Sequence, residues 1–133
     1  MSWTPQQLHD LLAKRQGWHC SLESDSLLIT NEEGLEAFLA VSGEQIIAET
    51  LLFPASVVTD TAALNDTILR THQLFPLTTV GISHLKGDDY YIAFGALSSG
   101  SKEESVQIEV ETLFRNTEAF LELYQEHLQG VTS

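Results

Sequence analysis

The spacing of apolar positions changes repeatedly along the chain, and each change marks an element. In "TPQQLHDLLAKRQ" Leu8, Leu11, Leu12 and Arg15 recur at helical spacing. Thr4 stands in front of them as an N-cap and Pro5 suits the first helical position, so a first helix is predicted that closes at Gly17. From Trp18 the period shortens. "WHCSLES", "SLLITN", "LEAFLAVS" and "GEQIIAETLLF" carry alternating, β-branched and aromatic positions, with "SDS" and "NEEG" as turns. Three or four antiparallel strands are predicted between about 18 and 53.

Pro54 and Pro76 bracket the next segment, in which Asp60 can cap a helix with Leu64, Ile68 and Phe75 near one face and Val57 or Val58 as a staple at its start. "LTTVGISHL" and "YYIAFGALS" alternate again on either side of "KGDD", a stretch suited to a hairpin turn because Gly87 accepts a positive φ and Asp tolerates turn geometry. After "SGSKEES", Val110, Leu113, Thr117, Leu121, Tyr124 and Leu128 repeat at three and four. They predict a third helix over about 104 to 128, although Val106, Ile108 and Val110 also alternate as a strand would. The expected fold class is α+β: a twisted antiparallel sheet of about five strands with three helices packed mainly on one face, in the order α-β-β-β-α-β-β-α.

Composition fits this picture without enlarging it. The 133 residues are 43% hydrophobic and 19% charged, as in an ordinary globular domain. A single domain over 1–133 is expected, with 129–133 as a frayed tail. The lone cysteine, Cys20, leaves no intramolecular disulfide to form. The N-terminal stretch lacks an apolar core of signal-peptide length and "LLFPASVV" is far short of a membrane span, so a cytoplasmic protein with no membrane insertion is expected. Six Lys plus Arg against nineteen Asp plus Glu give a net charge of -13, which repels phosphate backbones and disfavours nucleic acid, apart from the small basic cluster Lys14–Arg15. Such a field keeps the chain soluble, and it also suits a basic or aggregation-prone partner.

Candidate chemistry is sparse. Asp88 and Asp89 could be a catalytic carboxylate pair, but on a solvated hairpin tip nothing separates their pKa values or positions a substrate. Cys20 follows His19 directly, and strand neighbours point to opposite faces, so the thiol and imidazole do not meet. His9, His19, His72, His84 and His127 show no metal-ligand spacing with one another or with Cys20. "GALSSGS" misplaces its residues for a nucleophile elbow, and "GSKE" lacks phosphate-loop spacing. No catalytic, cofactor or metal site is predicted, and no cofactor is expected.

The central strands are more informative. Alternation puts Leu35, Ala37, Leu39 and Val41 on one face, with Ile46, Ala48, Thr50 and Leu52 beside them. The other face takes Glu36, Phe38, Ala40 and Ser42, then Gln45, Ile47, Glu49 and Leu51. Large apolar side chains among carboxylates suit a face that is covered intermittently, by a second subunit or a client. Phe38, Ile47 and Leu51 are the candidate protein-interaction residues. Coverage by a helix or the C-terminal tail of the same chain is the alternative.

In element order, size and acidity the chain resembles the small chaperones that serve type III secretion. More narrowly, "PASVVTDTAALNDTILRTHQLFPLTTVGI", "DDYYIAFGALSSGS" and "ETLFRNTEAFLELYQEHL" resemble the YjfI-like family of uncharacterised bacterial proteins. That resemblance implies no catalytic residues, and by association with genes for phage shock protein A homologues it implies a link to envelope stress. The expected function is a non-enzymatic, protein-binding or chaperone-like adaptor of a bacterial cytoplasm, with a protein partner or client and a homodimeric state. A structural homo-oligomeric subunit and a small enzyme are the other classes the sequence allows.

Overall fold

The computed structural model describes residues 2–129. Helix α1 (Pro5–Leu12) starts on a reciprocal cap: the Gln7 N–H donates to the Thr4 hydroxyl at 3.2 Å, and the Thr4 N–H donates to the Gln7 side chain at 3.1 Å. It closes at Leu12, short of the predicted Gly17. Arg15 lies past its end, with its guanidinium 4.7 Å above the Trp18 ring and 3.3 Å from the Glu111 carboxylate. Half of the small basic cluster is thereby engaged within the chain.

Four strands follow: β1 (His19–Glu23), β2 (Ser26–Thr30), β3 (Glu36–Ser42) and β4 (Gln45–Pro54). Helix α2 (Thr61–Thr71) is capped by the Asp60 carboxylate, which accepts from the Ala63 N–H at 3.1 Å. Then come β5 (Thr79–Leu85), β6 (Asp88–Ser98) and helix α3 (Glu103–Leu123). The sheet is antiparallel throughout and has six strands in the order β1-β2-β3-β4-β6-β5, one more than the five predicted. The additional strand precedes α2, because "HCSLE" and "SLLIT" pair as separate strands across a two-residue turn in which Ser24 takes φ +53°.

Register fixes which face each residue serves. Leu27, Leu39, Ala48 and Gly95 line up across four strands on one side, and Ile29 and Ala37 beside them. This side holds the core, with Leu8 and Leu12 of α1, Leu64 and Ile68 of α2, and Val106, Val110, Leu113 and Phe120 of α3 packed on it. All three helices therefore cover the same face. In β4 the alternation breaks at a bulge between Leu51 and Phe53, so Phe53 and not Leu52 takes the fully inward place, with its ring centroid 5.3 Å from that of Tyr91.

Helix α3 is helical from Glu103, which removes the strand alternative for Val106 to Val110, and it stops at Leu123 before a 3₁₀ turn (Gln125–His127). Its buried arc centres on Val106, Val110, Leu113, Thr117, Phe120 and Tyr124, while Leu121 is only partly covered. Asn116 ties this helix to the α2–β5 connection: its amide donates to the Pro76 carbonyl and the Thr78 hydroxyl, both at 2.9 Å, on either side of Leu77 at φ +69°. At the C-terminal end the Gln129 N–H donates to the Val57 carbonyl at 2.7 Å, so Gln129 is not frayed. The rest of the predicted tail, 130–133, lies outside the described residues.

Candidate protein-interaction face

The face opposite the core is a row of side chains that crosses the whole sheet. Ser21, Leu28, Phe38, Glu49, Phe94 and Thr79 are successive cross-strand neighbours from β1 to β5. Beside this row lie Ala40, Ile47 and Ala96 on one flank, and Leu51, Ile92 and Gly81 on the other. No helix among the described residues packs here. Phe38 is 39% exposed and Leu51 45%, whereas Ile47 is half-buried and Ile92 is buried. The three residues singled out from the sequence thus share one face, and they are joined by Leu28, Ile92 and Phe94. Those three were not identified from sequence, because they reach Phe38 and Leu51 only through the β2–β3 and β4–β6 pairings.

The charge on this face has one sign. The six strands contain no Lys or Arg; the chain's cations, Lys14, Arg15, Arg70, Lys86, Lys102 and Arg115, all lie in helices, turns or loops. Glu23, Glu36, Glu49 and Asp88 fall on the open face by register, with His19 as the one basic side chain among them. Among the described residues, Glu23, Glu36 and Glu49 make no ion pair.

The other candidates for chemistry do not converge. The hairpin turn is the two residues Lys86 and Gly87, at φ +52° and +81°, so Asp88 and Asp89 open strand β6 and do not sit in the turn. Their side chains diverge as strand neighbours must. Asp88 accepts from the Ser56 hydroxyl at 3.3 Å and Asp89 lies 2.9 Å from the His84 ring. Cys20 pairs with Ile29 and His19 with Thr30, which places them on opposite faces, and burial pushes the Cys20 thiol up. His72 Nε2 accepts from the Val80 N–H at 3.0 Å, a structural bond that fixes its tautomer. Among the described residues no group of three or more His, Cys, Asp or Glu could hold a metal ion, and no helix is long and apolar enough to cross a membrane.

One buried polar group escaped sequence reasoning, because on a helix with acidic neighbours Glu109 looks like part of a solvated surface. It is 6% exposed, its Oε2 has no hydrogen-bond partner among the described residues, and burial raises its carboxyl above the ordinary 4.5. In the folded state it holds its proton to higher pH than in the unfolded state. Its contribution therefore favours folding below 4.5 and is lost as pH rises through the raised folded value. Glu109→Gln should remove that loss and raise stability near neutrality by about 1 kcal/mol or more. Urea unfolding at pH values below 4.5 and near neutrality checks this, the gain being confined to the higher pH.

This α+β architecture, a six-stranded antiparallel sheet with its helices on one face, has counterparts among solved structures. The chain matches the SchA–HopA1 chaperone–effector complex structure with a TM-score of 0.64 at 14% identity, over 86% of this chain and 90% of the other. It matches the crystal structure of YbjN from Escherichia coli, a protein proposed to regulate transcription, with a TM-score of 0.67 at 14% identity, over 92% and 93%. At those identities the likeness is one of fold. The chain belongs to the DUF2170 family, described as uncharacterized proteins conserved in bacteria, whose pattern it matches over residues 2–128. It is 31% identical to the uncharacterized protein YjfI of Escherichia coli strain K12 across 131 residues, 96% of this chain and 98% of that protein. The YjfI protein of strain O157:H7 aligns equally well.

Proposed function

We propose that the chain is a non-enzymatic, protein-binding adaptor of chaperone type in the bacterial cytoplasm, and that its open sheet face is the binding surface. One observation carries this reading: three helices cover one face of the sheet, while the other keeps Phe38 and Leu51 at 39% and 45% exposure. Exposed apolar side chains on a face without a helix gain by being covered, since burial of apolar area is the main favourable term in association. A chaperone–effector complex among the similar folds supports the same reading. Regulation by direct DNA contact, the alternative that YbjN raises, is disfavoured by a net charge of -13 and by strands without Lys or Arg.

The test is affinity purification of the tagged chain from its host beside a Phe38→Ser/Leu51→Ser variant, after circular dichroism has shown that both fold. A protein retained in stoichiometric amount by the parent and lost by the variant is the expected result. A partner retained equally by both would move the binding surface elsewhere, and a co-purified small molecule converted on incubation would make the chain an enzyme.

A further inference from the structure

The open face specifies the chemistry of its occupant through charge and backbone geometry. This inference rests on the reading of that face as the binding surface. The row Phe38–Glu49–Phe94 places a carboxylate between two aromatic side chains on adjacent strands. With strands about 4.8 Å apart, the two rings are anchored roughly 10 Å from each other with the acid midway. Glu36, two residues from Phe38 on the same face of β3, adds a second unpaired acid. A second copy of the chain would bring the same carboxylates and no Lys or Arg from its own sheet, and like charges across an interface are destabilising.

The backbone narrows the choice further. Strands β2, β3, β4 and β6 are hydrogen-bonded on both sides, so the middle of the face offers no free N–H or C=O. An extended segment laid on it would bury its own peptide groups without partners, whereas a helix satisfies its backbone internally. Two apolar residues seven apart on a helix stand about 10 Å from each other, and positions three and four between them lie on the same side.

We propose that the open face binds a cationic amphipathic helix of a partner protein, with apolar residues two turns apart set against Phe38 and Phe94 and Lys or Arg between them paired with Glu49 and Glu36. The chain's overall negative field would attract any cationic peptide, so the test separates local pairing from that field. At about 0.15 M salt, charges more than roughly 8 Å apart are largely screened.

The probe is a fluorescein-labelled helical peptide with leucines seven residues apart and lysines at the third and fourth positions between them; its twin carries glutamine in place of lysine. Fluorescence anisotropy gives both affinities. The lysine peptide should bind the parent about fivefold or more tighter than the glutamine twin, and Glu36→Gln/Glu49→Gln should erase that difference. Glu118→Gln/Glu122→Gln, an equal change of charge on exposed positions of α3, should leave the affinity within about twofold. Equal losses from the two pairs of substitutions, or no binding of the lysine peptide at all, would overturn the proposal. If both peptides bind alike and Phe38→Ser/Leu51→Ser abolishes both, the face binds by apolar contact and the cationic specificity fails. If the serine variant binds the lysine peptide as the parent does, the face is not the surface and both readings fall. A parent dimer by light scattering that the serine variant dissociates would assign the face to a second copy and overturn the proposal.

Discussion

Phe120→Ala is expected to lower the unfolding free energy by about 3 to 5 kcal/mol, a large part of the total for a domain of this size. The Phe120 side chain is fully buried. Its ring meets Phe75 edge-on at a centroid distance of 4.5 Å and stacks on Tyr124 at 5.7 Å, an arrangement that adds roughly 0.5 to 1.5 kcal/mol per pair beyond area burial. Truncation would leave a cavity among aromatic rings that cannot collapse without moving α3. It would also loosen Tyr124, whose hydroxyl is pushed up to about 12 by burial. Leu121→Ala, one position on, removes a side chain that is only partly covered and should cost less than half as much. Chemical unfolding of the two variants compares them directly; equal losses would mean that α3 is rotated about its axis from the arrangement described.

Gly95→Val is expected to destabilise by about 1 to 3 kcal/mol and to reduce the yield of soluble protein. A Cβ at Gly95 would stand 2.5 Å from Glu109 Oε2 and 2.8 Å from the Leu77 carbonyl oxygen. The carboxylate can swing aside, but the carbonyl is backbone, held between two groups that Asn116 binds. Ala96→Val, on the next residue and the opposite face, should be nearly neutral because Ala96 is exposed. The contrast is read from thermal melting of the two variants. Adding Glu109→Ala to Gly95→Ala should restore only part of the loss, since the Leu77 carbonyl remains in the way. Full recovery would show that the carboxylate alone sets the limit.

Local signals were legible in the sequence where a local bond produces the structure. Thr4 with Gln7, and Asp60 with the Ala63 N–H, do what their types and spacing predict. Strict alternation placed Ala37, Leu39, Ile46, Ala48 and Thr50 on the core face correctly, and Phe38 and Leu51 away from it. It failed where three large residues stand together: in "LLF" either phase buries an apolar side chain, and the bulge that decides for Phe53 comes from pairing with β6. In the third helix Val110, Leu113, Thr117 and Tyr124 were placed on the buried arc correctly, but Leu121 was chosen where Phe120 is buried, because the arc is wide and partly polar. Thr112, Asn116 and Thr117 are inside it, so hydrophobicity alone misplaces its centre. Strand β1 was hard to count because four of its five residues are exposed and alternation fades at a sheet edge. The composition of the open face was half legible, since Phe38, Ile47 and Leu51 come from one local hairpin while Ile92 and Phe94 join them only through a pairing between distant parts of the chain.

That pairing also sets an order of assembly. Strands β1 to β4 follow one another through short turns, and β5 and β6 form a tight hairpin, so both units can form by local zipping. The sheet becomes continuous only when β6 docks along β4, matching Gln45 with Ser98 across the whole α2 segment. Contacts so far apart in sequence carry the closure entropy of the loop they define, and they slow folding more than local ones do. Docking of β6 along β4 is accordingly the step expected to limit the folding rate. A chain paused before that step would present two unpaired strand edges and both faces of an unfinished sheet, so the interval before docking is when this acidic protein is most exposed to aggregation.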